Sequence, residues 1–173
     1  MNNMAFAVTH VLLTIILVDL YRDYITKNKK YFTIHTLFVA GVAGLLSDID
    51  IPISQIITYL GYSPGLLSHG GITHTVFFGL IFLIPAFILL FKKNHKKSVY
   101  FFVISFGILF HLFLDVIVNE GSYMLFWPLT SNTYSIFPLM GFVFNGVQAP
   151  LDAVILLLWL YHEEAKHKIR DFI

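Results

Sequence analysis

Residues 98–118 read SVYFFVISFGILFHLFLDVIV, and this stretch decides the fold. It is apolar almost throughout, and it is long enough to cross a bilayer core as a helix, which takes roughly 20 residues. Its polar pair, His111 and Asp115, has the i, i+4 spacing that puts both side chains on one face of a helix. Ionisable groups inside a membrane helix are costly and are typical of functional sites. The stretch therefore predicts both a membrane span and a site within it.

The whole chain has the composition of a membrane protein. Of its 173 residues, 57% are hydrophobic and 12% are charged, and the mean hydropathy is +0.78. A soluble domain typically carries about 25% charged residues. The net charge of +1 gives no indication of nucleic-acid binding. The chain has no cysteine, which excludes disulfides and thiolate ligands, so any metal must be held by imidazole and carboxylate groups.

Four further apolar segments predict additional spanning helices. These segments lie near residues 4–21, 33–50, 73–91 and 147–162. Together with 98–118 they predict an all-α, multi-pass transmembrane bundle of about five spans. The bundle forms one domain, residues 1–173. The second span contains the small-xxx-small pair Ala40 and Gly44, which suits close helix packing in lipid. Pro52 is expected to end that helix, since the residue before a proline disfavours helical geometry.

The basic residues predict the orientation. All eleven fall within residues 22–30, 92–97 and 166–170. With five spans these segments share one side, which the positive-inside rule assigns to the cytoplasm. The N-terminus and the connections 51–72 and 119–146 then lie outside, and the C-terminus is cytoplasmic. We therefore expect a multi-pass protein of the inner or plasma membrane.

The two outer connections are apolar and aromatic rather than polar. Residues 51–67 carry no charge. The second connection holds the aromatic side chains Tyr123, Phe126, Trp127, Tyr134, Phe137, Phe142 and Phe144. Aromatic residues of this kind favour the lipid–water boundary, so these segments are expected to lie in or against the interface and to cover part of the site. An aromatic belt with no further role is an equally good interpretation.

Histidines and aspartates are predicted to converge at the outer face. The set is His10, Asp48, Asp50, His69, His74, His111 and Asp115. His10 and His111 lie at matching depth, roughly 9–10 Å from the outer ends of their helices at about 1.5 Å per residue. The outer side carries no Lys or Arg to neutralise the aspartates, so they need a proton or a cation. Imidazole with carboxylate suits zinc first, with manganese or iron(II) as alternatives.

Helix ends account for the other polar residues of the spans. Asp19 and His35 fall at cytoplasmic helix ends, where we expect solvated or snorkelling side chains. Thr73 is expected to cap the third spanning helix, which His74 opens.

The order of these residues resembles a known family, the YdjM-type inner-membrane proteins classed as metal-dependent hydrolases. The motifs that carry the resemblance are His10, Asp48-Ile49-Asp50, His69-Gly70-Gly71-Ile72-Thr73-His74-Thr75, His111-Leu112-Phe113-Leu114-Asp115 and Trp127-Pro128-Leu129. They cover roughly residues 8–130. The family is in turn distantly similar to zinc-dependent phospholipase C and P1-type nucleases. That similarity implies Asp115 as a bridge between two metals and a ligand set of His10, Asp48 or Asp50, His69, His111 and Asp115.

The chain departs from this pattern in two places. Gly70 stands where the family's motif usually has Arg, a natural phosphate clamp, which weakens the case for phosphate as the substrate group. No second H-x-x-x-D/E pair lies on the predicted outer face, since His162 and Glu163 fall at the cytoplasmic end of the fifth span. One or two metal ions are therefore expected, and not three.

The leading hypothesis is hydrolysis of an ester or phosphoester of a membrane lipid, by water that the metal activates. Asp48 or Asp50 could act as general base, and His74 is the third catalytic candidate. A metal-ion or proton transporter is the first alternative, because intramembrane His and Asp also mark ion pathways. A non-catalytic scaffold with a structural metal is the second. Haem ligation by His10 and His111 is a third, which the neighbouring acids disfavour.

Overall fold

The computed structural model describes residues 6–27, 30–118, 122–135 and 148–167. Helices dominate these residues, and the only β pairing among them is an isolated bridge between Tyr123 and Tyr134. The all-α prediction is confirmed. The two ends of the chain, and three aromatics of the second outer connection, Phe137, Phe142 and Phe144, lie outside the described residues.

The first predicted span is a helix in two parts. α1 runs over Phe6–Leu20 and continues as a π-helical segment over Tyr21–Thr26. The helix ends where Lys27 takes a left-handed conformation, with φ of 50°. Asp19 thus lies inside a continuous helical rod and is followed by further turns.

The second predicted span bends before it reaches its acidic end. α2 covers Ile34–Ala43, a 3-10 turn follows at Ser47–Ile49, and α3 covers Asp50–Tyr59. The axes before and after the break differ by 53°. The expectation that Pro52 ends a helix is wrong: it lies in the first turn of α3, where a missing amide proton costs nothing.

Of the remaining described helices, α4 covers Val76–Leu80 and α5 covers Leu83–Phe91, α6 is the long helix His95–Val118, and α7 is Gln148–His167. Two of them, α4 and α5, pack against α6, the longest of the described helices, and α7 packs against α1. Short 3-10 turns at Gly65–Leu67 and Ile72–His74 precede α4. The prediction that Thr73 caps this helix is wrong. Thr75 is the cap, and its hydroxyl accepts the amide proton of Phe78 at 3.2 Å.

The core lies where α1, α2 and α6 meet. Its buried apolar side chains are Val18, Leu37, Ala40 and Val103. Small residues allow the close approach: a Cβ added at Gly107 would lie 2.6 Å from the Cβ of Ala43. The predicted close packing of the second span is therefore confirmed, and it brings α2 directly against the face of α6 that carries His111.

One described helix, His95–Ile117, is by itself long and apolar enough to cross a membrane. The bent pair of Ile34–Ala43 and Ser47–Tyr59 would add a second if it counts as one span, and Val76–Phe91 is apolar but shorter. The number of five spans and the orientation of the termini stay predictions. Large apolar side chains are exposed along several helices, among them Phe38, Phe91 and Leu157, as expected of a surface that faces lipid.

Candidate metal centre

His111 is held by α2 so that one ring nitrogen faces two carboxylates. Its Nδ1 lies 2.7 Å from the carbonyl oxygen of Gly44. A carbonyl only accepts, so Nδ1 carries the proton, and in the neutral ring Nε2 bears a lone pair. That Nε2 lies 3.2 Å from Asp115 Oδ2 and 3.5 Å from Asp48 Oδ1, is buried, and makes no hydrogen bond.

His74 repeats this arrangement from the opposite wall. Its Nδ1 lies 3.0 Å from Asp50 Oδ2 and can donate to it. Its Nε2 then faces Asp115 Oδ2 at 3.4 Å and Asp48 Oδ1 at 3.6 Å, again buried and without a hydrogen bond. Two imidazoles thus direct the same ring atom at the same pair of carboxylates.

Asp115 is the centre of the cluster. Its Oδ1 lies 3.2 Å from Nε2 of His10, while its Oδ2 faces His74 and His111. The ring centroids of His10 and His111 are 4.2 Å apart, and those of His74 and His111 are 5.4 Å apart. Three histidines from α1, α6 and the turn before α4 therefore surround one buried carboxylate.

Asp48 and His69 form the accessible rim. Their side chains are 25% and 45% exposed, whereas those of the three inner histidines are nearly fully buried. Asp48 Oδ1 lies 3.9 Å from His69 Nδ1. The cluster is thus closed by the helices on the inside and open beside these two residues.

Asp50 lies behind the histidines and is saturated with donors. Its carboxylate is 1% exposed and has four neighbours at hydrogen-bond distance: His69 Nδ1 at 3.1 Å, the Gly70 amide at 3.2 Å, the Thr73 hydroxyl at 2.8 Å and His74 Nδ1 at 3.0 Å. A carboxylate that accepts from the far nitrogen of a ligand histidine fixes the tautomer and the ring orientation. Its position is that of an orienting group.

The turn that carries His69 and His74 depends on its glycines and on an aromatic cover. Gly70 has φ of 82°, in the left-handed region. A Cβ on Gly71 would lie 2.1 Å from the carbonyl oxygen of Leu66. Tyr123 stacks on His74 with centroids 5.3 Å apart and planes at 10°. Tyr123, from the aromatic connection after α6, therefore covers part of the site, which favours the first of the two interpretations of that segment.

Six of the seven residues chosen from the sequence fall into two groups with metal-binding geometry. One is His10, His111 and Asp115, and the other is Asp48, His69 and His74; in each, the candidate ligand atoms lie within 4.8 Å of one another. These groups could hold one divalent ion each. The seventh residue, Asp50, is in contact with the second group through its histidines.

One expectation about the other polar residues is wrong. Asp19 is fully buried and not solvated, because α7 packs over it and Arg22 pairs with it. His162 and Glu163 join it in a third group with metal-binding geometry. His35 is exposed, as expected. The i, i+3 spacing of Asp19 and Arg22 is a sequence pattern that indicates an ion pair. The contact of Asp19 with α7 could be found only from the tertiary structure.

The family model described as "YdjM inner membrane protein" matches residues 4–168. No curated protein and no solved structure matches significantly.

Proposed function

The chain belongs to the YdjM inner membrane protein family, and we propose that it is a membrane-embedded, metal-dependent hydrolase acting on an ester or phosphoester of a lipid at the extracytoplasmic face. The proposal builds on the chemistry of the buried cluster, on its open rim, and on the apolar segment beside it.

The main support for a bound metal is the direction in which two histidine ring nitrogens point. In their neutral forms His74 and His111 turn Nε2 lone pairs toward carboxylate oxygens at 3.2–3.6 Å. Lone pairs that face one another in a buried site repel, and leaving both unsatisfied is costly. A divalent cation between them would remove this repulsion, with these nitrogen and oxygen atoms as its candidate ligands. No cysteine is available, so the donor set is imidazole and carboxylate, which fits Zn²⁺ first.

The two groups suit one or two ions with Asp115 between them. Its two oxygens face different histidines, which is the arrangement of a bridging carboxylate. Asp50 orients His74 through its far nitrogen, also contacts His69, and is not itself a ligand in this scheme. Asp48, at the accessible rim, is the better candidate for a ligand or general base that meets the substrate.

The open rim favours a catalytic site over a structural one. Structural metal sites are coordinatively closed, whereas catalytic sites keep one position for water or substrate. Here the inner histidines are buried, and Asp48 and His69 are partly exposed. A bound metal would supply Lewis-acid polarisation and an acidified water. The chain's own groups then hold the substrate ester at the rim and accept the proton of water at Asp48.

A lipid is the substrate class that fits the surroundings. α3 begins at Asp50, and the segment that follows carries exposed apolar or aromatic side chains at Ile56, Tyr59, Leu60 and Tyr62. Residues 51–67 are uncharged. A surface of this kind lies readily in the headgroup region, next to the ester and phosphoester bonds of lipids.

Transport is the weaker candidate because little polarity connects the two ends of α1. Between His10 and Asp19 the buried side chains on this helix are Leu12, Thr14 and Val18. The Thr14 hydroxyl donates to the carbonyl oxygen of His10 at 2.6 Å and so is already engaged. Uptake of Zn²⁺ into proteoliposomes tests this candidate directly.

The hydrolase proposal is tested with the full chain in vesicles of phosphatidylethanolamine and phosphatidylglycerol. Free fatty acid would identify ester cleavage, and diacylglycerol or a released headgroup would identify phosphoester cleavage. We expect His111→Ala to lower turnover at least 100-fold and His35→Ala, an exposed histidine on α2, to leave it unchanged. The proposal would be contradicted if wild type and His111→Ala had equal turnover. It would also be contradicted if wild type loaded with Zn²⁺, Mn²⁺ and Fe²⁺ in turn showed no turnover.

A further inference from the structure

A second polar cluster lies at the other end of α1, where α7 packs beside it. Asp19 is fully buried there, and Glu163 is 8% exposed. Asp19 follows His10 by nine residues, which places the two clusters about 13 Å apart along the helix at about 1.5 Å per residue. The two clusters therefore share no ligand.

His162 faces the two carboxylates of this cluster without a hydrogen bond to either. His162 Nδ1 lies 3.9 Å from Asp19 Oδ2 and 3.7 Å from Glu163 Oε1. Both distances exceed hydrogen-bond range, and both are near the separation of about 3.3 Å between neighbouring ligand atoms around a tetrahedral Zn²⁺. The candidate ligand atoms of all three residues lie within 4.8 Å of one another.

The histidine is aimed into the cluster by its other nitrogen. His162 Nε2 lies 3.2 Å from the Tyr24 hydroxyl, while Nδ1 is buried and makes no hydrogen bond. When Nε2–H donates to Tyr24, Nδ1 presents its lone pair to the two carboxylates. A cation placed between them converts this repulsion into coordination.

Acidic groups outnumber the guanidinium in this part of the structure. Arg22 is the guanidinium of the cluster, and it pairs with Asp19, with Asp23 at 2.9 Å and with Glu163 at 3.5 Å. Among the described side chains, the Arg22 guanidinium is thus shared by three carboxylates that are almost wholly buried. Lys166 is close by, but its Nζ lies over the Tyr24 ring, 4.6 Å from the centroid.

Asp19 can bind a cation although it already has partners. Arg22 pairs with its Oδ1, and Trp159 Nε1 donates to Oδ2 at 3.1 Å. A carboxylate oxygen has two lone-pair sites, so Oδ2 retains one that can face His162. Arg22 and Trp159 then orient the carboxylate.

We infer that Asp19, His162 and Glu163 form a second divalent-cation site, independent of the His111 cluster, that fastens α7 to α1. Imidazole with two carboxylates suits Zn²⁺ or a similar first-row metal. The packing of α7 indicates what such a site would do. Among its described side chains the buried ones are Asp152 and Glu163, and most of its apolar residues are exposed, so polar contacts at its two ends dock the helix.

The test is the Zn²⁺ content and Zn²⁺ affinity of the purified full chain in detergent. We expect His162→Ala to lose one equivalent of Zn²⁺ per chain, and Glu163→Gln to bind that equivalent at least tenfold more weakly. His95→Ala, a histidine outside the cluster, is the matched control and keeps the wild-type content. The inference would be overturned if Zn²⁺ content and affinity were equal in His162→Ala, His95→Ala and wild type. The cluster would then be an ion-pair network closed by Arg22.

The outcome is separable from that of the proposed hydrolase. In a His111→Ala background, the equivalent that depends on His162 is retained whether or not the first cluster binds metal. A second readout guards against misfolding: Zn²⁺ should raise the melting temperature of His111→Ala by more than that of His111→Ala/His162→Ala. With EDTA the two variants should melt together. An equal rise with Zn²⁺ in both would also overturn the inference.

Discussion

Replacing Asp50 by Asn tests whether this residue orients the metal ligands or is one of them. In the structure its Oδ2 accepts from Gly70 and Thr73 and lies 3.0 Å from Nδ1 of His74, and its Oδ1 accepts from His69. An Asn amide can place its oxygen at the Oδ2 position and keep three of these donors. Its NH₂ group then meets the Nδ1–H of His69, and the negative charge that increases the basicity of both imidazoles is lost.

The magnitude follows from these contacts. Removal of a partner behind a ligand histidine typically weakens metal affinity about 10–100-fold, which is about 1.4–2.7 kcal/mol at about 1.4 kcal/mol per tenfold change. His69 is 45% exposed and can donate to water instead, which limits the loss. We therefore expect Asp50→Asn to remain folded and to bind Zn²⁺ about 10–100-fold more weakly than wild type.

The assay is competition with a chromophoric chelator for Zn²⁺, with Asp115→Asn and Asp152→Asn alongside. Asp152 is the matched control, a buried aspartate that accepts from the Thr9 hydroxyl at 2.9 Å, outside the cluster. Asp115→Asn should lose the metal altogether. If Asp50→Asn binds as tightly as Asp152→Asn, Asp50 has no orienting role; if it fails as completely as Asp115→Asn, Asp50 is a ligand.

Three further predictions test the packing, the cover and the topology. Gly107→Leu should destabilise the bundle by about 1–3 kcal/mol, and Gly107→Ala by less, because the added Cβ would lie 2.6 Å from the Cβ of Ala43. Thermal unfolding in detergent measures this effect. An unchanged melting temperature would contradict the close packing of α2 and α6. Tyr123→Ala should weaken Zn²⁺ binding about two- to tenfold, because it removes a ring stack on His74 worth about 0.5–1.5 kcal/mol. Tyr123→Phe keeps the ring and should keep the affinity. Equal losses in the two variants would assign the effect to the hydroxyl. Since the chain has no cysteine, Ser63→Cys should react with an impermeant maleimide in intact cells and Lys96→Cys only after lysis; the reverse pattern would invert the topology.

The main features of the site were predictable because they are local or follow from helix geometry. The pair His111 and Asp115 needs only helical spacing, and the depth of His10 follows from the helix rise. The positions of Asp48 and Asp50 at the same end of the bundle as His10 follow from the second apolar run. These rules brought the same seven side chains together that the structure places in one cluster or in direct contact with it.

Other features depend on contacts that the sequence does not express. The role of Asp50 arises from the turn at Gly70, whose amide and neighbouring hydroxyl reach the carboxylate. Asp19 looked like a solvated helix end because its partner Trp159 is 140 positions away in the chain. The number of spans also stays a prediction, since only α6 is long and apolar enough by itself among the described helices.

The central claim is that the buried histidines and aspartates bind a divalent metal. Anomalous diffraction at the zinc edge, from crystals of the full chain purified with Zn²⁺, tests it most directly. We predict a peak about 2.0–2.2 Å from Nε2 of His10, Nε2 of His111 and an oxygen of Asp115. Absence of a peak there, with these three side chains hydrogen-bonded to one another or to water in the refined density, would contradict the claim.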